Sequence, residues 1–291
     1  MIRQIALTSS LWLLLSFGAP STFAEDAKGY LALGDSLAFG FTPLTALGDL
    51  RNYHGYPEIV ADAIHRKLAN ASCFGESSQH FLALYPATAP PTDLGCQAWR
   101  AQYPLFVSYT GTQMDYALQY LRDHSKAELV TIDIGVNDVG VLVNIVCHGD
   151  AVCAQSKLPE FLSAYAANLT TIYSRIRSAG YSGPIVAVTG YYPFNYHDPE
   201  VGAFVALNSI LASVTTAFHG KIADAFTAFG IAAGVSGSVC ATGLLVKIPN
   251  STACDTHPSA AGQALIAKLV LSQLDQKFDR EQEQDIEQEK E

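Results

Sequence analysis

The sequence predicts a single-domain α/β fold of three layers, α/β/α, with helices covering both faces of a central parallel sheet. Short, almost wholly apolar runs recur along the chain and end in polar turns, as strands buried on both faces do. Between them lie stretches with apolar residues at helical spacing, and this alternation is expected of parallel strands joined by covering helices. No internal repeat or linker divides the chain. Its 291 residues, 49% hydrophobic and 15% charged, suffice for one large core.

Residues 1–24 stand apart from that fold. Arg3 precedes the apolar run IALTSSLWLLLSFGA, and STFA ends in small residues, which reads as a secretory signal peptide cleaved after Ala24. The run is short for a membrane span of about 20 residues. The mature chain is therefore expected in the periplasm or the medium, without stable membrane insertion. Its domain covers 25–274, and 275–291 form a tail with eight acids and three bases, expected to be solvated and disordered.

Within the domain, GYLALGDS reads as a buried strand breaking into a loop. YPEIVADAIHRKLANA sets Ile59, Val60, Ala63, Ile64 and Leu68 at helical spacing behind a proline suited to a first turn. From Glu76 to Gly111 the chain is rich in Pro, Thr, Ala and aromatics without a period, which predicts a long ordered loop. MDYALQYLRDH is helical and AELVTIDIGVND a second buried strand. PEFLSAYAANLTTIYSRIRSAG is a long amphipathic helix closed by Gly180, and GPIVAVTGYYP is a third strand. EVGAFVALNSILASVTTAFHG repeats the helix, KIADAFTAF the strand, and SAAGQALIAKLVLSQL is the last helix.

Loss of Arg3 with the leader takes the net charge from −10 to −11, so neither nucleic acid nor an anionic membrane is favoured as an electrostatic partner. Six cysteines form an even set in an exported chain and read as disulfides. Of fifteen pairings, the neighbours in order each close a short loop and are the expected set: Cys73 with Cys96, Cys147 with Cys153, and Cys240 with Cys254. The rival is a metal site, but CHGDAVC lacks a CxxC and no HExxH occurs. No metal and no cofactor is expected.

Ligands of open parallel sheets bind beyond the carboxyl ends of the strands, and three polar groups fall there. Ser36, in LALGDSLAFG, follows the first strand at the start of a turn or helix, where backbone N–H groups favour an anion. It lies in neither GxSxG, since Ala38 stands where glycine is needed, nor GxGxxG. Asn137, in DIGVND, offers a neutral NH₂ donor suited to a developing oxyanion. Asp255 and His257, in ACDTHPSAAGQ, could be an orienting acid and a base. Taken singly, each also reads as a helix cap or a polar turn.

Together these residues resemble the GDSL esterase/lipase family, the SGNH hydrolases. GDSL occurs literally at 34–37, GVND at 135–138 matches the GxND block, and ASCFGESS at 71–78 is similar to the glycine block. The match in order runs from Tyr30 to the last helix. The resemblance implies a flavodoxin-like fold and a serine esterase or lipase acting on acyl or lipid esters through an acyl-enzyme. Ser36 would be the nucleophile and His257 the general base, oriented by Asp255. The oxyanion hole would comprise the backbone N–H groups of Ser36 and Gly75 and the side chain of Asn137. Glycine at 75 lets the backbone approach the substrate oxygen without a Cβ.

Two residues depart from the family pattern: Phe74 replaces the usual proline, and Asp255 sits two rather than three residues before the histidine. A backbone carbonyl, or a distant acid such as Asp224, is the alternative partner for His257. A Cys240–Cys254 bridge would close a 15-residue loop against Asp255 and steady it, worth about 3 kcal/mol. Phe81, Leu82, Leu84, Tyr85 and Trp99 would either wall an acyl chain or simply cover the sheet. The same core would also serve a carbohydrate O-acetylesterase or an acyltransferase. A non-catalytic extracellular binding protein is the remaining reading.

Overall fold

The computed structural model describes residues 28–86 and 95–274. The expected signal peptide, with its cleavage point at Ala24, and the acidic tail from 275 lie outside these residues. In chain order the elements are β1 (Gly29–Gly34), α1 (Tyr56–Ile64), β2 (Lys67–Asn70), α2 (Ser78–Leu82), α3 (Cys96–Arg100), α4 (Gln113–Asp123), β3 (Ala127–Asp133) and α5 (Val136–Gly140). They continue as α6 (Ala151–Ser178), β4 (Ile185–Val188), α7 (Val201–Ala217), β5 (Lys221–Ala223), α8 (Ala225–Ala233), β6 (Leu245–Lys247), β7 (Cys254–Pro258) and α9 (Ala260–Leu271).

The first five strands form one parallel sheet in the order β2-β1-β3-β4-β5. Alternate residues of each strand face opposite layers. Leu31, Leu33, Val130 and Ile132 pack with Met114 of α4, Leu169 and Ile172 of α6, and Leu211 of α7. Tyr30, Ala32, Leu129 and Val186 pack on the other side with Val60 of α1, Phe229 of α8 and Ile266 of α9. Burial on both faces is why β1 reads as an unbroken apolar run. The order reverses between β1 and β3, so the loops after these two strands diverge and leave a crevice at the carboxyl end of the sheet.

Helix starts are fixed by local chemistry. Glu58 accepts from the Gly55 N–H ahead of α1, Thr112 and Asp115 cap α4 reciprocally, and Asp150 accepts from Val152 and Cys153 at the head of α6. Ser259 caps α9 in the same way.

Five elements differ from the sequence expectation. Lys67–Asn70 is not a continuation of α1 but the edge strand β2: His65 leaves the helix with φ of +50°, and the next residues pair with β1. The stretch 76–111 contains the short helices α2 and α3 rather than loop alone. Most of KIADAFTAF is helix, because the Asp224 side chain accepts from the Thr227 N–H and starts α8 after a three-residue strand. Helix α6 begins eight residues ahead of Pro159; Pro159 and Gln155, whose carbonyl the proline leaves unpaired, are both solvent-exposed. The hairpin β6–β7 had no counterpart in the sequence reading.

Three disulfides join the sequence neighbours, Cys73–Cys96, Cys147–Cys153 and Cys240–Cys254. Among the described residues no helix is long and apolar enough to cross a membrane, and no group of three or more His, Cys, Asp or Glu could hold a metal ion.

Candidate active site

Ser36 follows β1 in a tight turn rather than a helix. The Asp35 carboxylate accepts from the Leu37 N–H, and the Asp35 and Ser36 carbonyls accept from Phe39 and Phe41. Gln263 of α9 ties this turn down by donating to the Leu37 carbonyl while accepting from the Tyr56 N–H. Ser36 is thereby held almost buried, with its Oγ 3.0 Å from His257 Nε2.

Asp255 and His257 both lie on β7, not on an irregular loop. Residues two apart on a strand point to the same side, which is what the shortened spacing requires. Asp255 Oδ1 accepts from the His257 backbone N–H at 2.9 Å and lies 2.5 Å from His257 Nδ1. Asp224 is occupied elsewhere, by Thr227 and Thr189. The Cys240–Cys254 bridge is adjacent to Asp255, and the Tyr191 hydroxyl donates to the Thr256 carbonyl between the pair. The Tyr191 ring is itself stacked on Phe229 at 4.2 Å.

The imidazole packs against a pair of aromatic rings, Phe41 and Phe74, that are themselves in contact at 4.5 Å. Phe41 meets it edge-on at 4.7 Å and Phe74 lies over it at 5.9 Å. Phe74, which stands where the family has proline, thus lies against His257. This burial lowers the His257 pKa from its ordinary 6.5, and the Asp255 carboxylate opposes the shift.

Gly75 has φ of +75°, the left-handed region that glycine adopts without strain, and a Cβ there would press on the Gly95 backbone at 3.3 Å. Among the described residues no protein acceptor takes the backbone N–H of Ser36 or of Gly75. Asn137, at the start of α5, differs: its amide donates to Asp35 Oδ2 and to the Glu76 carbonyl, each at 3.0 Å. Both of its hydrogens are engaged in the free protein. Beside Gly75 and Asn137 opens a cleft of about 420 Å³. Of the five apolar residues proposed as its wall, Trp99 lines it; Phe81 belongs to the main core, and Leu84 is 48% exposed.

A layer of buried carboxyls underlies these groups. Asp133 accepts from the Tyr56 hydroxyl and from the Asp35 and Ala38 N–H groups, and Asp138 accepts from both the N–H and the hydroxyl of Ser78. Gln113 accepts from the Gly34 N–H and donates to the Gly34 carbonyl and to Glu76 Oε2, linking the end of β1 to the glycine block. Burial pushes Glu76 up to about 8 and Asp138 up to about 7, and it raises Asp35 and Asp133.

Each such carboxyl keeps its proton in the folded protein at pH values where the unfolded chain has released it. The folded state therefore binds more protons across the window from about 4 to about 8, and stability falls as pH rises through it. The lowered pKa of His257 acts in the opposite sense on the acid side. Calorimetry is expected to show Tm falling by several degrees from pH 5 to pH 8.5. Glu76→Gln should raise Tm at pH 8.5 and flatten the dependence; a Tm that rises toward pH 8.5 in the parent contradicts the protonated carboxyl layer.

The model of the GDSL-like Lipase/Acylhydrolase family matches residues 32–265, from β1 through the Ser36 turn and His257 to α9. The chain belongs to this family. As an acylhydrolase it is a carboxylic ester hydrolase acting on small ester substrates.

Solved structures similar to this acylhydrolase include phospholipase A1 from Streptomyces albidoflavus, with 19% identity, 85% of this chain and 100% of that chain covered, and a TM-score of 0.56. An extracellular lipase from Streptomyces rimosus gives 18%, 85%, 100% and 0.56. An acetylxylan esterase from Geobacillus stearothermophilus gives 18%, 84%, 93% and 0.53. At these identities the likeness shows the fold, an α/β domain with a central five-stranded parallel sheet. Comparison with curated proteins finds no match.

Several residues that shape the site escaped the sequence reading: Phe41 against His257, Tyr191 behind it, and Gln113 and Gln263 at the two ends of the Ser36 turn. Phe74 alone carried a signal, as a departure from the family's proline.

Proposed function

We propose that this acylhydrolase cleaves carboxylic esters through an acyl-enzyme on Ser36. The observation that carries this is the continuous contact Ser36 Oγ, His257 Nε2, His257 Nδ1, Asp255 Oδ1, with separations of 3.0 and 2.5 Å at its two hydrogen bonds. Ser36 Oγ attacks the ester carbonyl while His257 Nε2 takes its proton. The charged imidazole is stabilised by Asp255 and returns the proton to the leaving alcohol oxygen as the C–O bond breaks. Water, activated by His257 in turn, releases the acid.

The oxyanion of each tetrahedral intermediate is received by the N–H groups of Ser36 and Gly75. Asn137 joins them by exchange, because an oxyanion with full negative charge is a stronger acceptor than the neutral Glu76 carbonyl it displaces. The domain at 25–274 works outside the cytoplasm after cleavage at Ala24, a reading supported by the three disulfides.

A fluorophosphonate probe tests the assignment. Peptide mapping is expected to find the adduct on Ser36 alone. A protein that hydrolyses esters without labelling, or that labels at another serine, overturns it.

A further inference from the structure

We propose that the cleft beside Gly75 and Asn137 holds the acyl arm of the ester as a linear hydrocarbon chain. The enzyme then favours medium-chain acyl esters over acetyl esters, and residues 98 and 140 set the chain length it accepts. This rests on the acyl-enzyme reading given above.

Which arm of the ester enters the cleft follows from the position of the base. The leaving alcohol must receive its proton from His257 Nε2, so the alcohol oxygen lies on the His257 side. Gly75 and Asn137 line the cleft, whereas Ser36 and His257 do not, so the cleft opens from the oxyanion side of Ser36, away from His257. A carbonyl whose oxygen rests on the oxyanion donors thus directs its other substituent, the acyl carbon chain, into the cleft.

The lining suits hydrocarbon. One wall is Phe74 and, across the Cys73–Cys96 bridge, Ala98 and Trp99 of α3. The other is Gly140 at the end of α5, followed by Val141 and Ile145 of a π-helical stretch, Val141–Val146, closed by the Cys147–Cys153 bridge. No Asp, Glu, Lys or Arg lines the space; of its polar residues, Gln102 and Asn144 are solvent-exposed, Asn137 is bonded to Asp35 and Glu76, His80 is bonded to Ser77, and the Tyr103 ring packs on Trp99 at 4.5 Å. A sugar or a phosphate would lose water there for few partners, whereas a methylene chain loses nothing. At about 420 Å³ the cleft falls in the range of small-molecule sites and exceeds what an acetyl group fills.

Gly140 makes the inference testable without disturbing the fold. Its backbone is helical, and a Cβ built on it meets nothing within 4 Å. Leucine there occupies open space, and replacing a helical glycine favours folding. With p-nitrophenyl esters of two to ten acyl carbons, kcat/KM is expected to climb about fourfold per added methylene beyond acetyl before levelling. Gly140→Leu should lower the octanoyl-to-acetyl ratio of kcat/KM at least tenfold, and Ala98→Leu, on the opposite wall, should do the same. An acetyl ester turned over best by the parent, or a ratio unchanged in both folded variants, overturns the inference. Ser36→Ala run alongside separates the two readings. Turnover surviving in that variant overturns the serine mechanism, whereas abolished turnover with a flat or acetyl-favouring parent profile overturns the cleft assignment alone.

Discussion

Ser36→Ala is expected to lower kcat for ester hydrolysis by about a millionfold, leaving the circular dichroism spectrum and Tm close to those of the parent. The Ser36 side chain makes one hydrogen bond, to His257, while its turn is held by backbone bonds and by Gln263, so the fold loses little. The chemistry loses its proposed nucleophile, the one hydroxyl among the described residues that is bonded to the His257 ring. Residues that act as a unit are not additive, so Ser36→Ala combined with His257→Ala should cost hardly more than either alone. Activity left in the variant would come from the oxyanion donors and from binding, which together still exceed the uncatalysed rate by about a thousandfold. Stopped assays with purified protein measure this directly, and a loss of less than a hundredfold is incompatible with Ser36 as nucleophile.

Asp255→Asn is expected to lower kcat by about ten-thousandfold while leaving the geometry in place. The reason is the tautomer. Asp255 accepts from Nδ1, which leaves Nε2 free to take the serine proton. An asparagine can present its NH₂ to Nδ1 instead, drawing the imidazole proton to Nε2 and turning the base away from its task. The pH profile gives a second reading. Burial lowers the His257 pKa, so in the parent kcat/KM should rise with pH through a midpoint below 6.5 and then level. Removing the opposing carboxylate should move that midpoint lower still. If Asp255→Asn retained more than a tenth of parental kcat with an unmoved acid limb, a backbone carbonyl would be the better candidate for orienting the imidazole.

The parts of this molecule that could be read from its letters are those where local pattern and tertiary role coincide. β1 and β3 are buried on both faces and so stand out as apolar runs, and Ser36 and Asn137 stand out as polar residues directly after them. Edge strands gave no such contrast. β2 has four residues, too few to interrupt the helical spacing that runs into it, and only pairing with β1 makes it a strand; β5 reads as a strand but one extended too far, because its three residues run straight into the apolar α8. CDTHP has no apolar alternation to mark β7, whose strand form comes from pairing with Leu245 and Lys247. Phe41, Tyr191 and Gln113 reach the site through contacts distant in sequence, and no local rule distinguishes them from ordinary core residues.

Carrying Asp255 and His257 on one strand has a mechanical consequence. Where acid and base come from separate segments, two gaps can drift independently, one on each side of the imidazole. Here the carboxylate and the ring ride on the same short length of backbone, tied further by the Asp255 bond to the His257 N–H. A displacement of β7 carries both together and varies only the distance to Ser36. The catalytic chain therefore has one adjustable joint, between the end of β1 and the hairpin. The Cys240–Cys254 bridge and the Tyr191 hydroxyl act on the hairpin side of that joint, and Gln263 on the serine side.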